Sequence, residues 1–68
     1  MKVIVNDENY EIEPGVTVRK MVEILLGGAM TEGIALALNE TILPKEIWAT
    51  QVLQEHDQLL IVKATQGG

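Results

Sequence analysis

The stretch QLLIVK, Gln58 to Lys63, is apolar on both faces of an extended chain: Leu59 and Ile61 point one way, Leu60 and Val62 the other. A strand with one wet face alternates apolar with polar residues, whereas a strand in the middle of a sheet tends to run on as an apolar segment. QLLIVK follows the turn residues EHD, Glu55 to Asp57, and has no hairpin partner of its own. Its economical position is central, beside the first strand of the chain.

The remaining elements arrange themselves around that pair. In MKVIV, Met1, Val3 and Val5 share one face and Lys2 and Ile4 the other, which reads as a strand. NDEN, Asn6 to Asn9, is turn chemistry. YEIE alternates again, with Tyr10 and Ile12 inward and Glu11 and Glu13 outward, so an N-terminal hairpin is expected before Pro14-Gly15 breaks it. Thr17 is a good helix N-cap, with Lys20 where a full capping box would place Glu. Val18, Met21, Val22 and Leu25 form one apolar stripe; Arg19, Lys20 and Glu23 take the other side; Gly27-Gly28 ends the helix. After the loop GAMTEG, IALALN alternates Ile34, Leu36 and Leu38 against Ala35 and Ala37, and Asn39-Glu40 turns the chain into the short strand TIL. Pro44 halts that strand, and KEIWA reads as one helical turn laying Trp48 over the end of the core. One helix and about five short strands give an α+β fold, a mixed sheet with the helix across one face.

A chain of 68 residues, 47% hydrophobic and 22% charged, makes one globular domain. At this size only about 60% of the unfolded surface is buried, which leaves little room for a deep catalytic cleft. The apolar runs fall well short of the roughly 20 residues a membrane span needs, and the start lacks a signal-peptide layout, so a cytoplasmic protein is expected. Net charge is −5, and the five basic residues (Lys2, Arg19, Lys20, Lys45, Lys63) are scattered, so no basic stripe meets nucleic acid. A basic surface on another protein is the better match. The absence of cysteine excludes disulfides, a thiolate nucleophile and a side-chain persulfide.

Conventional catalytic chemistry is missing. GGAMTEG lacks the Gly-Lys-Ser/Thr of a phosphate loop. His56, the only histidine, lies between Glu55 and Asp57 and without cysteine is a poor metal ligand set; it reads as a solvated turn. The glutamates at 11, 13, 40, 46 and 55 read as solvated surface, and Trp48 as a cap on the core. No cofactor is implied.

What stands out is the ending, KATQGG. Glycine gains least by being ordered, so residues 65–68 are expected to form a flexible tail on a domain of residues 1–64. The carboxylate of Gly68 has no side chain beside it, and with Gly67 and Gln66 it can be threaded into a narrow tunnel of a second enzyme. There it can attack the α-phosphate of ATP, giving an acyl-adenylate that sulfide or an amine displaces. A second candidate surface lies on the sheet face away from the helix. One helix covers one face, yet Ile4, Leu60 and Val62 alternate towards the other, beside the small Ala35 and Ala37. A contiguous apolar patch there would dock a partner.

VIVNDENYEI near the start, IALALN followed by LPKEIW in the middle, and HDQLLIVKATQGG at the end together resemble the ubiquitin-like sulfur carrier proteins, most closely the ThiS family of thiamine biosynthesis. The middle segment is similar to that family's V-A-V-N…V-P-R-x-x-W pattern, with Leu43, Lys45 and Trp48 at corresponding positions. The resemblance implies a β-grasp (ubiquitin-like) fold. It also implies a protein co-substrate, not an enzyme, whose Gly68 is adenylated by a ubiquitin-activating-type enzyme and converted to a thiocarboxylate. Sulfur would come from a donor such as a cysteine desulfurase and pass to thiazole synthase for the thiazole ring of thiamine. Two alternatives share the fold and ending: the small subunit of molybdopterin synthase and a ubiquitin-like protein modifier. LPKEIW and the short, aromatic-poor chain favour the thiamine type. The chain departs from the family at two turns, where Asp7 and His56 stand at positions often held by glycine.

Overall fold

The computed structural model describes residues 1–27 and 33–63. Its elements in order are β1 (Lys2–Val5), β2 (Glu8–Glu11), α1 (Val18–Leu26), β3 (Ile34–Leu38), β4 (Thr41–Ile42), a 3-10 turn (Lys45–Ile47) and β5 (Gln58–Lys63). The five strands form one mixed sheet in the order β2-β1-β5-β3-β4. β5 is central, parallel to β1 and antiparallel to β3, as QLLIVK indicates. A five-stranded mixed sheet with one helix across it is the β-grasp arrangement. Gly28 and residues 29–32 of the GAMTEG loop lie outside the described residues.

The helix starts and stops where its caps dictate. The Thr17 side chain accepts a hydrogen bond from the Lys20 amide, and Gly27 ends the helix in the left-handed region at φ 80°. The next two orphan amides at the helix start are met from outside it: Val18 donates to the Gln51 carbonyl and Arg19 to the Trp48 carbonyl. The segment after β4 thus closes the core and caps α1 at once. Val18, Met21 and Val22 pack onto Val3, Val5, Leu36 and Leu59, and Leu43, Trp48 and Leu53 seal the end of that core. Leu25 is only half-buried. Leu53, 1% exposed, belongs to a stretch that carries no periodicity in the sequence; it is held by its amide bonding Val16 and by a bridge between Thr17 and Val52.

The first hairpin is tighter than its sequence indicates, and the second turns at the two residues its sequence marks. The first turn is Asn6-Asp7 alone, at φ 49° and 69°, and β2 begins at Glu8 instead of Tyr10. The second is Asn39-Glu40, at φ 50° and 72°. Two-residue turns with both residues at positive φ match the twist of the strands they join, so the pairing geometry overrides the preference of Asp7 and Glu40. His56 is the third residue of the turn that the Asp57 amide closes onto the Gln54 carbonyl, at φ 69°. A side chain in this region costs about 1–2 kcal/mol. Asp7→Gly and His56→Gly should therefore each raise the melting temperature by several degrees, as scanning calorimetry would show. A fall for both would mean that their side chains contribute more than the turn geometry costs.

Candidate functional site

The register of the strands assembles the outer face of the sheet. In β3 and β5, Ala35 lies opposite Val62 and Ala37 opposite Leu60, while β4 sets Ile42 opposite Ala37. From the other side, Ile4 lies opposite Gln58, next to Leu60 along the strand. Directly opposed residues share a face, so Ile4, Ala35, Ala37, Leu60, Val62 and Ile42 form one apolar surface across four strands. It is uncovered: Leu60 is 51% exposed, Val62 49% and Ile42 72%. Ala35 is exposed, and Ile4 and Ala37 are half-buried among their neighbours. The two apolar faces of β5 thus have different fates, Leu59 and Ile61 turning to the core and Leu60 and Val62 to solvent.

Ile42 escaped the sequence reading, though the signal was available. A two-residue turn at Asn39-Glu40 forces position 42 opposite position 37, hence onto the same face. The same turn and the one at Asn6-Asp7 give the surface its charge. Ile4, Ala37 and Leu60 floor a notch of about 210 Å³ whose walls include Asp7 and Glu40, with no cation among its lining residues. An apolar floor with an acidic rim suits an apolar contact flanked by lysine or arginine.

Asn6 governs how β5 leaves this surface. β1 ends at Val5, and from there the Asn6 side chain replaces the strand. Its Oδ1 accepts from the Ile61 amide at 2.8 Å, and its Nδ2 donates to the Ile61 carbonyl at 3.2 Å. At the other end of β5, Asn39 Oδ1 accepts from the Gln58 amide at 2.9 Å, and Asn39 Nδ2 donates to Asp57 at 3.0 Å. Two side-chain amides therefore pin the central strand. Asn6→Ala loses both bonds and places alanine at positive φ, so a cost of about 2 kcal/mol is expected. Amide hydrogen exchange should accelerate at Ile61 and beyond. Unchanged exchange there would show that the sheet holds β5 without the clamp.

The other candidates resolve simply. Trp48 is 3% exposed, and its indole Nε1 donates to the Leu43 carbonyl at 2.9 Å, so it is a core residue. Lys45 lies over its ring, 6.0 Å from the centroid. The His56 side chain is exposed, with Nε2 3.5 Å from the Glu55 carboxylate. No group of three or more His, Asp or Glu side chains suited to a metal occurs among the described residues. The Tyr10 phenol lies above its ordinary range. Desolvation raises its phenol, and the Glu8 carboxylate that accepts its hydrogen bond raises it further, so Tyr10 stays a neutral hydroxyl. No helix among the described residues is long and apolar enough to cross a membrane. Gln66, Gly67 and Gly68 lie outside the described residues.

Comparison with known proteins agrees with this architecture. The ThiS family model matches residues 3–68. The chain is 35% identical to the "Sulfur carrier protein ThiS" of Escherichia coli (strain K12) over 68 residues, all of both chains. Its structure superposes on the crystal structure of a thiamine biosynthesis protein (ThiS) from Geobacter metallireducens with a TM-score of 0.81 at 20% identity, covering both chains fully. A solution structure of a thiamine biosynthesis protein from the same organism gives 0.75, covering this chain fully and 88% of the other. At that identity the structures speak for the fold; the sequence matches speak for the family. Similar from end to end to a named carrier and matched by the family model from the first strand through the final glycines, the chain is a member of the ThiS family.

Proposed function

We propose that this chain is a sulfur carrier of thiamine biosynthesis and that Gly68 is its loaded end. It is a protein co-substrate: other proteins act on it, and it holds no catalytic constellation of its own among the described residues. The Gly68 carboxylate attacks the α-phosphorus of ATP in an adenylating enzyme of the ubiquitin-activating type, and pyrophosphate leaves. The outer sulfur of a persulfide on a donor such as a cysteine desulfurase then attacks the acyl carbon and AMP leaves. A thiol reductant cleaves the resulting acyl disulfide, itself becoming the oxidised partner, so the terminus becomes a thiocarboxylate. Thiazole synthase takes that sulfur for the thiazole ring. Cytoplasmic ATP and sulfur donors place these steps in the cytoplasm.

The observation that carries this reading is the full-length match to a sulfur carrier, running through Gly67 and Gly68. Gln66 and Gly67 are assigned to threading, since neither a branched chain nor bulk stands next to the reacting carboxylate. Ile4, Ala35, Ala37, Ile42, Leu60 and Val62 are assigned to docking, with Asp7 and Glu40 meeting basic residues of the partner. The absence of cysteine fits carriage at the terminus.

Adenylation is reversible, which gives a direct test. An activating enzyme should exchange labelled pyrophosphate into ATP only when this chain is present, and deleting Gly68 should abolish the exchange. Exchange that persists with the deleted chain would contradict the assignment.

A further inference from the structure

We infer that the edge strand β2 and the groove between it and α1 form a second docking site, for an extended segment of a partner protein that alternates apolar and basic residues. The groove lies on the helix side of the sheet, and the site uses none of the residues assigned to the outer apolar surface and none of the terminus, so it stands apart from the carrier reading.

The backbone makes the first half of the case. β2 lies at the edge of the sheet. Met1 and Ile12 exchange hydrogen bonds, Ile12 N–H to the Met1 carbonyl at 2.8 Å and the Met1 amine to the Ile12 carbonyl at 2.7 Å. Pairs alternate along an antiparallel ladder, so Tyr10 and Glu8 also turn their amides to β1. The N–H and C=O groups of Asn9 and Glu11 therefore point outward, where an added strand would bond them.

The side chains make the second half. Beside this edge a cavity of about 580 Å³ runs between β2 and α1, lined by Tyr10, Ile12, Met21, Ile24 and Leu25 and rimmed by Glu11 and Glu13. Past Tyr10 it meets a smaller one of about 250 Å³ reaching Leu26 and Ile61. Ile24 is 56% exposed over the groove. Side chains of an added strand alternate, so one set would enter the groove and the other would lie beside Asn9 and Glu11. Apolar residues suit the first set and lysine or arginine the second. A second copy of this chain is disfavoured, because pairing β2 with β2 would crowd Glu8, Glu11 and Glu13 of both copies along one short ladder with no basic residue among them.

The probe is a capped heptapeptide alternating lysine and valine, titrated into the full chain and followed by amide and methyl NMR. Saturable shifts should appear at Asn9, Glu11 and Ile24, weakened by added salt. Asn9→Pro removes only an outward N–H, and edge strands tolerate proline in that position. It should weaken binding about tenfold or more at a nearly unchanged melting temperature, and Ile24→Lys should do the same from the helix side. A glutamate–valine peptide and a block peptide of identical lysine–valine composition should bind at least about tenfold more weakly. The proposal is overturned by absence of binding, by equal binding of either control peptide, by shifts centred on Leu60 and Val62, or by indifference to both variants. Shifts at β2 that grow with protein concentration alone would assign the edge to self-association and overturn it as well.

Discussion

Trp48→Ala is expected to lower the melting temperature by more than about 15 °C, the largest stability effect of any single substitution considered for this chain. Removing a buried aromatic typically costs about 3–5 kcal/mol, and a small domain has little more than that in total. Here the indole does three things at once. It fills the end of the core with Leu43 and Leu53, donates to the Leu43 carbonyl, and holds the segment whose Trp48 and Gln51 carbonyls cap α1. Trp48→Phe should recover much of the packing but not the hydrogen bond. Calorimetry and circular dichroism read both outcomes. A Trp48→Ala chain that melts normally yet fails to accept sulfur would show that the indole acts on a partner and that the core closes without it.

Leu60→Asp should do the reverse, leaving the fold and removing the partner. Leu60 already shows half its surface to water, so the substitution should cost about 1 kcal/mol or less. A charge at the centre of an apolar contact is a different matter. Residues in such positions carry about 2 kcal/mol or more of binding, so affinity for the activating enzyme should fall at least about thirtyfold. Ile42→Asp, at the rim of the same face, should act in the same direction with a smaller effect. Binding measured by calorimetry, with circular dichroism as the folding control, separates the two contributions. If Leu60→Asp unfolds the chain, the outer face is part of the core and the docking assignment falls.

The fold was legible in the sequence to the extent that burial is periodic. QLLIVK placed the central strand because alternation failed on it, and the stripe from Val18 to Leu25 placed the helix because four residues recur at helical spacing. The length of the first turn was not legible, since NDEN contains four turn-forming residues and only strand pairing selects the Asn6-Asp7 pair. Leu53 was invisible for a related reason: it lies in an irregular segment whose burial follows from backbone bonds to Val16 and from the Thr17–Val52 bridge. Of the candidate site, Ile4, Ala35, Ala37, Leu60 and Val62 follow from alternation within their own strands. Ile42 needed the register across a hairpin, and the acidic notch needed both turns brought to one face. The role of Gly68 rests on chemistry and family resemblance, because a glycine carries no packing signal.

That role is also the point at which the account can be tested most directly. The full chain would be incubated with ATP, an activating enzyme and a sulfur source, then treated with an alkylating reagent that labels a thioacid. Intact mass alone would mislead, because exchanging oxygen for sulfur adds nominally what one methionine oxidation adds, and Met1, Met21 and Met30 can all oxidise. The label should map to the peptide ending at Gly68, depend on ATP, and vanish when Gly68 is deleted while the melting temperature stays the same. A label found elsewhere, labelling that survives the deletion, or a marked loss of stability on deletion would contradict the carrier reading.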